Sequence, residues 1–153
     1  MEAFLQPLQG LAEFEEIKKR CGANRGILNV SGCMESQKVH LMYGLSGLFP
    51  CHLILADDER NAKEIYEDYR FYDKNVYFYP AKDLLFFQAD IHGNLLLRQR
   101  MRVIRALLEQ EEVTVVTSID GCMDFLMPLE KIKSSLLHFK SDSVIDLDQL
   151  KEE

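Results

Sequence analysis

Four short apolar runs punctuate this chain of 153 residues: ILNV at 27–30, HLILA at 52–56, NVYFY at 75–79 and VTVVT at 113–117. Gly26 precedes the first, Asp57 ends the second and Pro80 stops the third, and all four are rich in aliphatic, β-branched or aromatic residues, as strands are. The runs are continuous rather than alternating, so both faces of each strand must be covered. Strands covered on both faces belong to parallel sheets flanked by helices. Segments with helical periodicity separate the runs, which is the order of βαβ crossovers. The expected fold class is therefore α/β with a parallel sheet, Rossmann-like or P-loop-like.

The helical segments support this reading. Residues 1–21 place Leu5, Leu8, Leu11, Phe14 and Ile17 at three-residue spacing, and GANRG at 22–26 ends the pattern. Residues 36–48 offer Val39, Met42, Tyr43 and Leu45 as an apolar face, and residues 59–72 offer Ala62, Ile65, Tyr66 and Tyr69. Asp57 or Asp58 is a ready N-cap for the second of these. The strongest helical pattern is residues 95–110, where Leu97, Met101, Ile104 and Leu108 step along one face. A long loop is expected at 81–93; its four apolar residues LLFF at 84–87 are expected to tuck against the core. After Pro128 the chain alternates apolar and polar residues, with short strand-like pieces at 136–139 and 143–145 and a helix-like start at 146–153. Two domains are expected: residues 1–128, and the opening of a small second domain at 129–153.

Composition removes several function classes. A net charge of −7 opposes whole-surface attraction to nucleic acid or anionic lipid. No apolar run approaches the ~20 residues that span a bilayer, so no membrane role is expected. Cys21, Cys33, Cys51 and Cys122 form no C-x-x-C pair and read as reduced thiols of a cytoplasmic protein. His40, His52, His92 and His138 show no ligand spacing, so no metal site is expected. No Ser-His-Asp or Cys-His arrangement emerges, and no catalytic residue is assigned.

The stretch VSGCMESQKVH, following the first apolar run, raises the one question of chemistry. A P-loop reads G-x-x-x-x-G-K-[ST]: the glycines let backbone amides close on phosphate, and the hydroxyl binds Mg²⁺. Gly32 and Lys38 have the right separation, but Gln37 replaces the second glycine and Val39 replaces the hydroxyl residue. Glu35 would add a negative charge beside the phosphates. No bound cofactor is expected. HLILADDER at 52–60 imitates a Walker B strand, yet its acidic residues precede a helix and are better explained as caps. Arg98, Arg102 and Arg105 lie at i, i+4 and i+7, forming a stripe that is either a solvated face or a docking surface for an acidic partner or domain.

Four blocks, SGCMESQKVHLMYGLSG, YPAKDLLFFQADIHGN, QRMRVIRALLE and VTVVTSIDGCMDFLMP, resemble in order the N-terminal region of the bacterial transcription-repair coupling factor family, Mfd. That region resembles domain 1a of the excision-repair protein UvrB, whose equivalent loop is a functional P-loop. The resemblance implies a degenerate P-loop domain in which Gly32, Gln37, Lys38 and Val39 mark a lost ATP site. It also implies a non-catalytic interaction module serving transcription-coupled nucleotide excision repair. In the family, ATP and Mg²⁺ belong to motor domains, RNA polymerase and DNA are met through other domains, and UvrA is recruited mainly through the second small domain. The UvrA-contact positions would then lie beyond residue 153. The alternative left open is a divergent α/β domain that binds or hydrolyses nucleotide.

Overall fold

The computed structural model describes residues 2–23, 26–82, 90–109, 112–123 and 125–135. Its frame is a small open sheet of three parallel strands, β1 (Cys51–Ala56), β2 (Val76–Tyr79) and β3 (Val113–Ser118), in the order β1-β3-β2. Leu53 stands beside Val115 and Ile54 beside Val116, while on the other edge Tyr77 pairs with Val115 and Phe78 with Val116. Among the described residues the helices that accompany it begin with α1 (Glu2–Gln9), α2 (Ala12–Ala23), α3 (Glu35–Ser46), α4 (Glu59–Tyr69), α5 (Asp90–Glu109) and α6 (Ile119–Cys122). The last described helix is α7 (Leu129–Ser134).

The sheet is covered unequally. On one face Ile54, Ala56, Val76, Phe78 and Val116 pack against Val39 and Tyr43 of α3 and against Ala62, Ile65, Tyr66 and Tyr69 of α4. Ala62 and Val116 are fully buried, because a small residue on α4 lets the helix settle onto the strand. On the other face Tyr77, Tyr79, Val113 and Val115 meet Val103 and Ala106 of α5. Helix α5 lies over β2 and β3. Leu53 and Leu55 are left 62% and 53% exposed, and β1 is an edge strand with one bare face.

Three expectations need correction. The run at 27–30 is not a strand: it is irregular, and Ile27 is 95% exposed. A short apolar segment gains strand geometry only through ladder hydrogen bonds, and this one has no neighbour in the sheet. The expected single helix over 1–21 is two helices, broken at Gly10 and Leu11. The break lets Leu8 and Phe14 turn together onto α3, where both approach Gly44; a Cβ there would stand 2.6 Å from Leu8 Cδ1. His40 Nε2 meets the Phe4 carbonyl at 2.6 Å and so ties α1 to α3. Finally, the loop expected over 81–93 ends early, because α5 starts at Asp90. The runs at 84–87, 136–139 and 143–145, and the segment 146–153, lie outside the described residues.

Helix α6 is held tightly against the sheet. A Cβ on Gly121 would clash with the Thr117 hydroxyl and stand 3.3 Å from the Tyr79 carbonyl. Thr117 is buried and already donates to that carbonyl at 2.8 Å, so it cannot swing away. Gly121→Ala is expected to cost about 1–3 kcal/mol in urea denaturation. Gly47→Ala, where nothing lies within 4 Å, is expected to stay within about 0.5 kcal/mol of the parent. Equal effects of the two substitutions would show that the close approach at Gly121 is unimportant.

Candidate functional site

The loop compared above with a P-loop occupies residues 26–34, between α2 and α3. Gly32 has φ +87°, in the region that favours glycine, and turns the chain into α3. Beside it is a shallow hollow lined by Val30, Gly32, Cys33, Lys38 and Leu41. The side chains that would face a phosphate are engaged locally instead. Gln37 Oε1 accepts the Met34 amide hydrogen at 3.0 Å, half of a capping box at the start of α3. Lys38 Nζ lies 2.6 Å from Glu35 Oε1, one turn back. Val39 is buried in the core against α4 and the sheet and offers no ligand. The loop thus keeps a glycine turn and a lysine but satisfies its helix terminus with protein groups.

The acidic triplet after β1 is equally committed. Asp58 is the N-cap of α4, accepting the Asn61 amide at 2.7 Å. Asp57 accepts from Asn61 Nδ2 at 2.7 Å; this bond, then bonds from backbone amides, hold its carboxyl below the ordinary carboxylate value, and Lys38 adds a weaker pull. Glu59 reaches across the C-terminal ends of the strands. Its Oε2 accepts from Ser118 Oγ at 3.0 Å and from the Ala81 amide at 3.2 Å. Ser118 Oγ in turn accepts the Gly121 amide at 3.2 Å and caps α6. A few residues away Arg100, only 5% exposed, donates to the Pro80 carbonyl at 3.2 Å and stacks 4.3 Å from the centre of the Tyr79 ring.

Together Glu59, Ser118 and Arg100 clamp the chain where it leaves β2. Sequence reasoning missed this corner. Arg100 sits in a basic run, QRMRVIR, that gives no sign of which arginine turns inward. The stripe Arg98, Arg102 and Arg105 is exposed, as a solvated or docking face would be. Arg105 pairs with Glu109 at 2.8 Å, whereas Arg98 and Arg102 have no ion pair among the described residues. Among the described residues no three His, Cys, Asp or Glu side chains converge as metal ligands, and no helix is long and apolar enough to cross a membrane. None of the known protein families, curated proteins or solved structures matches this chain.

His52 marks the opposite end of the sheet. Its Nε2 is buried without a hydrogen-bond partner among the described residues, and its ring meets Phe49 edge-on. Burial pushes the imidazole below its ordinary 6.5, with Glu112 partly opposing. The unfolded chain therefore takes up this proton before the folded one does. The contribution of His52 is neutral above pH 6.5 and becomes destabilising as pH falls below it. The melting temperature is expected to drop between about pH 7.5 and about pH 5.5, a window above ordinary carboxylate titration. His52→Leu should remove part of that drop; an unchanged slope in the variant would contradict this account.

Proposed function

We propose that this chain is the N-terminal interaction module of a transcription-repair coupling factor, serving transcription-coupled nucleotide excision repair in the cytoplasm. On this reading residues 1–128 form a UvrB-like degenerate P-loop domain and residues 129–153 open the second domain. The module neither hydrolyses ATP nor holds Mg²⁺. It acts as a scaffold, and UvrA recruitment depends on the completed second domain. What carries the reading is the wiring of the loop. Gln37 caps its own helix and Lys38 is drawn to Glu35, so the two groups nearest a would-be phosphate serve the fold. A phosphate-binding loop needs the opposite: free backbone amides, a lysine without a carboxylate rival, and a hydroxyl for the metal.

One observation favours the second reading, a divergent nucleotide site. The hollow beside Gly32 is open, and Lys38 lies close enough to Asp57 to influence its titration, which is the juxtaposition a nucleotide pocket requires. Thermal melts separate the two. A nucleotide at 100 times its Kd would stabilise the fold by about 2.7 kcal/mol, or roughly 5–10 °C for a domain of this size. No shift with millimolar MgATP is expected, and a shift of that order would establish the second reading.

Recruitment has its own test. Residues 1–153 should retain little UvrA in a pull-down, because a specific interface usually buries ~1,200–2,000 Å² and the surface is assigned to the second domain. A longer chain that completes that domain should bind, with binding unchanged by R98E/R102E/R105E. Tight binding by residues 1–153 that the arginine reversals abolish would place the surface on the first domain instead.

A further inference from the structure

Helix α5 is built inside out. The side that meets the sheet is made of Val103 and Ala106, two small residues, with Arg100 beside them. At ~100° per residue, Leu97, Met101, Ile104 and Leu108 fall on a stripe turned away from that side. Leu97 and Met101 are exposed, and Ile104 and Leu108 are half-buried. Their spacing of four, three and four residues is that of a helix-packing seam. A solvated helix face would carry polar residues at these positions. Leu97 and Met101 left exposed and Ile104 and Leu108 half-buried, at a spacing suited to another helix, point to an occupant.

Charge limits what that occupant is. Arg98, Arg102 and Arg105 run along one flank of the stripe in a chain whose net charge is −7. Elsewhere Arg20, Arg60 and Arg70 each pair with a glutamate of their own helix. Arg98 and Arg102 have no such pair among the described residues. An antiparallel copy of α5 would set arginine flank against arginine flank, where like charges repel. An anionic lipid surface would meet a protein of net negative charge. A helix with leucines on one stripe and carboxylates beside them satisfies both halves of the face.

We propose that the outer face of α5 is a docking seam for a single acidic amphipathic helix of a partner protein. The apolar stripe supplies the buried contact, and the three arginines set orientation and select against basic or neutral helices. A seam of about three turns falls below the ~1,200 Å² of stable interfaces, so the contact is transient. It rests on α5 alone and stands whether or not the family reading holds.

The test uses a labelled helical peptide of about 21 residues with leucines at the a and d positions and glutamates at the flanks. Its twin carries lysines in place of the glutamates. By fluorescence anisotropy with the whole chain in about 0.05 M salt, the acidic peptide is expected to bind in the micromolar range and the twin at least tenfold more weakly. In about 0.5 M salt that preference should shrink, since exposed charges are screened. These arms use the unaltered protein. R98E/R102E/R105E should invert the preference, and Met101→Lys should weaken acidic-peptide binding at least tenfold, with melting curves confirming the fold of each variant. Equal binding of the two peptides, or none, overturns the seam. So does self-association that Met101→Lys abolishes in sedimentation, which would make a second copy the occupant. Retention of the chain on phosphatidylserine vesicles in preference to the acidic peptide would make it a lipid face and equally overturn the proposal.

Discussion

Strand β3 is buried along its whole length, from Val113 to Ser118, and is hydrogen-bonded to a parallel neighbour on each edge. Helix α4 closes one face over Val116 and helix α5 closes the other over Val113 and Val115. A strand so enclosed excludes water, and the rest of the architecture follows from that. Its apolar residues supply the two cores, and its polar residues must find partners inside the protein. Thr117 and Ser118, at the end of the strand, therefore bond to the Tyr79 carbonyl and to Glu59. Those two bonds bring together the exits of β2, β3 and the start of α4. The polar corner at the C-terminal ends of the strands is thus a consequence of burying hydroxyls.

The same economy explains the loop before α3. A helix N-terminus leaves amides without partners, and a P-loop leaves them so for phosphate. At the start of α3, Gln37 returns to the Met34 amide, and the lysine one turn from Glu35 joins it in an ion pair. That pair is exposed and contributes little stability. Its importance is that an anion entering the hollow would compete with Glu35 for Lys38, the one lysine lining it among the described residues. The start of α3 is thus satisfied by groups of its own first turn.

Helix α5 shows how far burial can depart from hydrophobicity. Arg100 is inside, held by a carbonyl and an aromatic face, because the loop leaving β2 presents an acceptor there. Leu97 and Met101 are outside, because α5 lies close to β2 and β3 through small residues on another side. Opposite burial of an arginine and a leucine three residues apart is a matter of which face of the helix each occupies. Both the clamp at Pro80 and the outer seam result from that one orientation.

The α/β class, three of the four strands and the existence of α3, α4 and α5 were legible in the sequence, because continuous apolar runs and 3.6-residue periodicity are local signals. Asp58 as a cap was legible for the same reason, since a cap bonds within its own turn. What the sequence could not determine depended on distant partners. ILNV at 27–30 has the composition of a strand, yet strand formation needs a neighbour to complete the ladder, and the sheet provides none. The break at Gly10, which lets Leu8 and Phe14 close on Gly44, depends on a helix more than 20 residues away in the chain. The sequence alone determined that β1, β2 and β3 would be extended and α3, α4 and α5 helical. Tertiary structure decided which faces were covered, and so which arginine was buried and which leucines were left out, because burial is a relation between elements and periodicity belongs to one.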